Sequence, residues 1–301
     1  METVLITGGS GMIGSRLSEM LNKKGYSVRH LVRHPQGNER FPSFAWSVRR
    51  NYIDPAALQD VDHVIHLAGS GIADQRWTES RKRVIVSSRV DTLHLLYQKL
   101  SEQSIRIKTL VSASGINYYG MRDPEHINRE EDPAGKDFLS AVCVKWEQEA
   151  LKFPPDTRVV MLRTATVLSK KGGALERLAK PVKLYAGAPL GSGRQWFPWI
   201  HIDDLCRMYI HALENPLAGP YNAVSSEHIT NEGFTKKLAA ILKKPLWLPN
   251  IPGWVMKLLF GELAVVLLYG NRAENQKIRS TGFVFKYPEV EPALKEALSS
   301  P

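Results

Sequence analysis

Cysteine is nearly missing from this sequence: Cys143 and Cys206 are the only two in 301 residues. A disulfide framework needs more, and so sparse a set points to a reducing compartment. Also missing is any run of the roughly 20 apolar residues that a membrane-spanning helix requires. The most apolar stretch, 254–268, is shorter and is interrupted by Lys257, Gly261 and Glu262. Met1-Glu2-Thr3-Val4 leads straight into a strand pattern without the basic and apolar regions of a secretory signal, so a cytoplasmic protein with no membrane role is expected. The formal charge is +10, yet no block of five or six like charges occurs. The basic residues come in short groups such as Arg49-Arg50, Arg81-Lys82-Arg83 and Lys236-Lys237, a pattern that argues against a nucleic-acid-binding tail. The histidines and cysteines lack ligand spacings such as His-x-x-x-His, so no metal is expected.

What is present is an ordinary globular composition, 43% hydrophobic and 23% charged, on a chain long enough for one large α/β domain with a smaller appended part. Apolar, β-rich runs alternate with amphipathic stretches, which is the signature of a parallel sheet with crossover helices. Strands are expected at 3–7, 27–33, 63–68, 107–113 and 158–163, and helices at 12–24, 79–100, 138–151 and 202–214. The stretch 172–198 is rich in Gly and Pro and reads as inserted loop, after which 231–242, 253–268 and 291–298 read as helices. The expected fold is therefore α/β: a Rossmann-type doubly wound parallel sheet over 1–215, with a substrate-loop insertion at about 170–200, and a small, mostly helical C-terminal lobe over 216–301.

The strongest local signal is Thr7-Gly8-Gly9-Ser10-Gly11-Met12-Ile13-Gly14, placed between a strand and a helix as a dinucleotide-binding turn requires. Gly8 permits the tight turn, Gly11 lets backbone approach a pyrophosphate, and Gly14 lets helix pack on strand. An NAD site usually carries an acid at the end of the second strand; here the strand ends Leu31-Val32-Arg33-His34. A guanidinium there suits a 2′-phosphate, so Arg33 points to NADP, with Ser10 and His34 assisting. Leu67-Ala68-Gly69, ending a later strand, would let the cofactor lie against backbone.

Several segments together resemble the short-chain dehydrogenase/reductase superfamily in its extended, atypical branch, and in particular the YfcH-like NAD(P)-binding epimerase family proteins. They are His66-Leu67-Ala68-Gly69 with Arg76-Trp77-Thr78, Ser112-Ala113-Ser114 with Tyr118-Tyr119-Gly120, Cys143 with Trp146-Glu147, and 191–204 with its Trp196, Trp199 and His201. Leu267-Leu268-Tyr269-Gly270 and Gly282-Phe283 resemble the small C-terminal domain of that group. The resemblance implies an NADP-bound Rossmann domain, a substrate cleft against the C-terminal lobe, and an epimerase or reductase activity.

It also implies an acid/base Tyr followed four residues later by a Lys, which lowers the phenol's pKa. Glu147 sets the register, and the two positions hold Leu139 and Cys143. With that pair absent, Ser114, Tyr118 and Tyr119 are the candidate catalytic residues, and Arg194, Gln195 and Trp196 the candidate substrate contacts. Cys143, mid-helix with nothing adjacent to ionise it, reads as a small core residue. Two functions fit: an NADP-dependent epimerase-like oxidoreductase acting on a small hydroxyl- or carbonyl-bearing compound, nucleotide sugars and phosphorylated compounds included, or a non-catalytic NADP(H)-responsive regulator. The oligomeric state is not legible.

Overall fold

In the computed structural model, which describes residues 1–121 and 123–299, Thr3–Thr7 (β1) is buried along its whole length. Val4 and Ile6 enter one hydrophobic core and Leu5 enters another, because successive side chains of a strand point to opposite faces. A strand apolar on both faces must be covered on both, and that requirement builds the rest of the domain.

The other strands of the sheet are Ser27–Val32 (β2), Ser43–Ser47 (β3), Tyr52–Ile53 (β4), His63–His66 (β5), Thr109–Gly115 (β6), Arg158–Thr164 (β7) and Gly219–Ala223 (β8). Their order is β8-β7-β6-β5-β1-β2-β3-β4, parallel throughout except for the antiparallel edge strand β4. The direction of winding reverses between β1 and β5, which leaves a crevice beyond their carboxyl ends. Met12–Lys23 (α1) and Ile202–Glu214 (α5) cover one face through Leu17, Leu21, Leu205 and Met208. Glu79–Glu102 (α2) and Phe138–Ala150 (α3) cover the other through Leu93, Leu96, Trp146 and Ala150. Each long helix on that face starts on a side-chain cap: Thr78 accepts from the Arg81 amide, and Asp137 from the Ser140 amide.

The doubly wound sheet is as expected, and three details differ from the sequence reading. β3 and β4 extend the sheet past β2 where the sequence pattern predicts no strand, and β8 lies just past residue 215, so the sheet is completed by chain assigned to the C-terminal lobe. The stretch 172–198 is not loop throughout but contains Gly173–Lys183 (α4), whose Leu175 and Val182 are buried. The helix expected at 253–268 is broken: Gly261, at φ +61, ends Gly253–Phe260 (α7), and a short helix, Ala264–Leu268 (α8), follows a single 3₁₀ turn.

Beyond β8 the chain packs back in two places. Asn231–Ile241 (α6) and Val290–Leu298 (α10) share a third core with Trp199 and with α4, through Phe234, Leu238, Val290 and Leu294. A two-residue parallel pair joins Arg272–Ala273 to Ile127–Asn128, tying the C-terminal segment to the loop after β6. The short helix Gln276–Arg279 (α9) contributes Ile278 to the first core. No helix among the described residues is long and apolar enough to cross a membrane.

Candidate functional site

The glycine turn closes through the Gly11 amide, which donates to the Gly8 carbonyl at 3.0 Å. Gly8 takes φ +71, and a Cβ on Gly14 would lie 2.6 Å from the Gly9 Cα, so the helix packs on the turn only because that Cβ is missing. Gly11 is the N-cap of α1; no side chain caps this end and no acid lies in the first turn. The amides of Met12 and Ile13 and the positive end of the helix therefore face the crevice, an arrangement suited to a pyrophosphate. Buried Thr7 fixes the floor of the crevice by accepting from the amides of Leu67 and Ala68, each at 3.1 Å. Ser10 and Gly11 are exposed beside it. These residues fit a dinucleotide.

Arg33 follows β2 directly, and the pairing of Leu31 with Thr7 places it on the glycine-turn side of the crevice, exposed together with His34. The first carboxylate that follows, Glu39, is turned onto its own loop, where it accepts from the amides of Gln36 at 2.6 Å and Gly37 at 2.8 Å. Those amides hold it below the usual carboxylate range. Beyond β5, Gly69 is exposed and Ser70 is pinned to α2: its amide donates to Ser88 Oγ at 3.0 Å and its carbonyl accepts from Arg89 at 3.1 Å.

The three candidate catalytic residues gather around a buried ion pair, Ser114 and Tyr119 through their hydroxyls and Tyr118 through its ring. Arg163, 2% exposed at the end of β7, grips Glu147 of α3, 7% exposed, through Nε at 2.9 Å and Nη2 at 2.8 Å. Ser114 donates to the same carboxylate at 2.7 Å. Tyr119 is fully buried; its hydroxyl donates to Asn222 at 2.7 Å and accepts from Arg163 at 3.0 Å. Burial pushes its phenol well above the usual tyrosine range. The ring of Tyr118 stacks on the Arg163 guanidinium, 3.4 Å from ring centroid to Cζ. The hydroxyls of Ser114 and Tyr119 thus enter a network joining β6, α3, β7 and β8. Sequence reasoning passes over Arg163, which holds the network together. A signal does exist, since it is a cation closing the apolar run Val159-Val160-Met161-Leu162.

Leu139, at the position where the resemblance puts a phenol, lines a cleft of about 180 Å³ between the sheet domain and the C-terminal segment. Cys143 sits behind it, its Sγ 3.4 Å from where a Cβ on Gly115 would lie, and burial pushes its thiol up to about 12. Trp77, Phe138, Val265 and Val266 form the cleft's apolar wall, with the Trp77 and Phe138 rings edge to face at 5.2 Å. Asp137, Asn117, Glu262, Asn271 and Tyr269 supply its polar groups. Asp137 is occupied in capping α3 at 3.0 Å, and Glu262 pairs with Lys82 at 2.7 Å. Sequence reasoning misses Tyr269 because nothing marks a tyrosine after a short helix as facing another domain.

The 191–196 loop stands beside this cleft and is not part of its lining. Arg194 is exposed. Gln195 donates to the carbonyls of Leu190 at 2.9 Å and Leu267 at 3.1 Å. The Trp196 indole donates to the Pro124 carbonyl at 2.7 Å and lies under Arg272. Its own carbonyl abuts Gly270 so closely that a Cβ there would collide. Gln195 and Trp196 thus hold the segment that carries Tyr269. Among the described residues, no group of three or more His, Cys, Asp or Glu could hold a metal ion.

The model of the NAD dependent epimerase/dehydratase family matches residues 4–224, and that of a domain of unknown function, DUF1731, matches residues 251–297. The chain is 35% identical to the mouse epimerase family protein SDR39U1 over 301 residues, covering 98% of this chain and 99% of that one. It is 33% identical to the Staphylococcus aureus epimerase family protein SAR0825, covering 99% and 100%. The crystal structure of human epimerase family protein SDR39U1 (isoform2) with NADPH superposes at TM-score 0.89 and 32% identity, covering 98% of this chain and 99% of that one. A UDP-glucuronic acid 4-epimerase from Bacillus cereus, in complex with UDP-glucuronic acid and NAD, shares the fold at TM-score 0.79 and 19% identity, covering 98% of each chain.

Proposed function

The chain belongs to the NAD dependent epimerase/dehydratase family, and from that premise we propose that it is an NADP(H)-binding, epimerase-like oxidoreductase acting on a small hydroxyl- or carbonyl-bearing compound. The observation that carries this reading is the glycine turn: a side-chain-free cradle at an uncapped helix N-terminus, floored by Thr7, Leu67 and Ala68. When bound, NADP(H) supplies or accepts a hydride. The α1 amides hold the pyrophosphate, and Arg33, with Ser10 and His34 beside it, grips the 2′-phosphate that distinguishes NADP from NAD. The human relative whose structure contains NADPH supports the choice. The substrate lies in the cleft bordered by Leu139, against its apolar wall.

A second reading is favoured by one specific observation. Leu139 and Cys143 occupy the acid/base positions, and Ser114 and Tyr119 are committed to the buried ion pair. A protein so equipped would sense the NADP(H) state and turn over nothing. Oxidation of NADPH by small carbonyl compounds, followed by the loss of nicotinamide absorbance, separates the two: saturable turnover supports the enzyme, and tight NADPH binding without turnover across a broad carbonyl panel supports the sensor.

A further inference from the structure

The cleft itself indicates what it would hold. Its volume of about 180 Å³ is below the roughly 300–1,000 Å³ of pockets that enclose drug-sized ligands, and a nucleotide sugar is larger still. Its wall is aromatic and aliphatic, set by Trp77, Phe138, Leu139 and Val266. Among the described residues, its charged lining groups are both carboxylates, Asp137 and Glu262. The neighbouring cation Lys82 is already shared between Glu262 and Glu79, at 2.7 Å and 3.2 Å. Among the described lining residues, an anion entering such a site would exchange its hydration for two carboxylates and meet no cation.

Among the described lining residues one hydroxyl is present, that of Tyr269, a side chain 53% exposed. The carboxyl end of α8, braced by Gln195 at Leu267 and by Trp196 at Gly270, holds Tyr269 across the cleft from Leu139. A phenol is a stronger donor than an amide, and it suits a carbonyl or hydroxyl oxygen.

We propose that this cleft binds a small, uncharged, aromatic or otherwise apolar carbonyl or hydroxyl compound, with the Tyr269 hydroxyl as the hydrogen-bond donor to its oxygen. The proposal rests on the reading of the chain as an NADP(H)-binding oxidoreductase, and it excludes nucleotide sugars and phosphorylated compounds from the cleft. It also gives the matched domain of unknown function a task, which is to close the substrate site and supply its donor.

The test uses the full chain loaded with NADP⁺ and three probes measured by calorimetry: acetophenone, benzoate of nearly the same size, and UDP-glucose. NADP⁺ binding is measured first and by itself, so that failure to bind cofactor counts against the oxidoreductase reading, while failures in the later arms count against the cleft assignment alone. Acetophenone is expected to bind at least tenfold more tightly than benzoate or UDP-glucose. Tyr269→Phe should weaken acetophenone roughly three- to tenfold, as loss of one neutral hydrogen bond implies, and leave ethylbenzene, which has no oxygen, unchanged. Val266→Lys, a partly exposed position on the wall, should bring benzoate level with acetophenone. Absence of acetophenone binding, binding of benzoate or UDP-glucose as tight as that of acetophenone, or an unchanged acetophenone affinity in Tyr269→Phe would each overturn the assignment.

Discussion

Replacing Arg163 with Met removes the centre of the buried network and leaves its partner in place. Four hydrogen bonds go: two to Glu147, one to the Tyr119 hydroxyl and one to the Glu130 carbonyl. Glu147, 7% exposed, then keeps only the Ser114 hydroxyl. An uncompensated buried charge of this kind costs about 3–5 kcal/mol, a large share of the roughly 5–15 kcal/mol typical of a whole domain. The assay is urea unfolding at neutral pH, followed by tryptophan fluorescence. Arg163→Met should lose about 3–5 kcal/mol, and the double variant Arg163→Met/Glu147→Leu should recover most of it, because an apolar pair of similar volume carries no desolvation penalty. A single variant within about 1 kcal/mol of the parent, or a double variant no better than the single, would refute the view that Arg163 and Glu147 are a mutually dependent structural pair.

Three further outcomes are expected. His66 is fully buried, its Nδ1 accepting from the Trp146 indole and its Nε2 donating to Thr92, and burial first and Arg89 second lower its pKa from 6.5 to about 3. The unfolded chain takes up a proton below about pH 6.5 where the native one does not, so stability present above that pH is lost as pH falls, by about 2 kcal/mol down to about pH 5; His66→Gln should flatten that slope, and an unchanged slope would count against the assignment. Cys143, its thiol pushed up to about 12 by burial, should resist iodoacetamide at mildly alkaline pH until urea unfolds the chain, and Cys143→Ala should cost about 1 kcal/mol while sparing NADPH binding; rapid labelling of the native protein would contradict this. Gly14→Ala should weaken NADPH more than tenfold, since the new methyl meets backbone at Gly8 and Gly9 that cannot step aside; affinity within twofold of the parent would show that the turn tolerates a side chain.

The sheet is legible where one signal dominates. β1 and β5 are short with apolar centres that alternate between the two faces, which signals burial on both, and the glycine turn needs its residues in fixed places between strand and helix. β8, Gly219–Ala223, is not legible, because a strand opening on Gly-Pro carries little apolar signal and owes its place to pairing with β7. α4 is hidden by the glycines and prolines flanking it; Pro181 even lies inside the helix. The site is harder for the same reason. Hydroxyls at 114 and 119 look equally available in sequence, and only the arrival of Arg163 and Glu147 from distant strands and helices commits them to structure. Tyr269 reaches its cleft through a contact between segments more than a hundred residues apart, which no local spacing encodes.

The most direct test of NADP(H) recognition through Arg33 is a fluorescence titration of the purified protein with NADPH and with NADH, repeated on Arg33→Ala. The parent should bind NADPH more tightly, and the variant should lose most of that preference, a change of roughly 1.5–3 kcal/mol for removal of a charged hydrogen-bond partner. Equal affinity for the two cofactors in the parent, or no measurable binding of either, would contradict it.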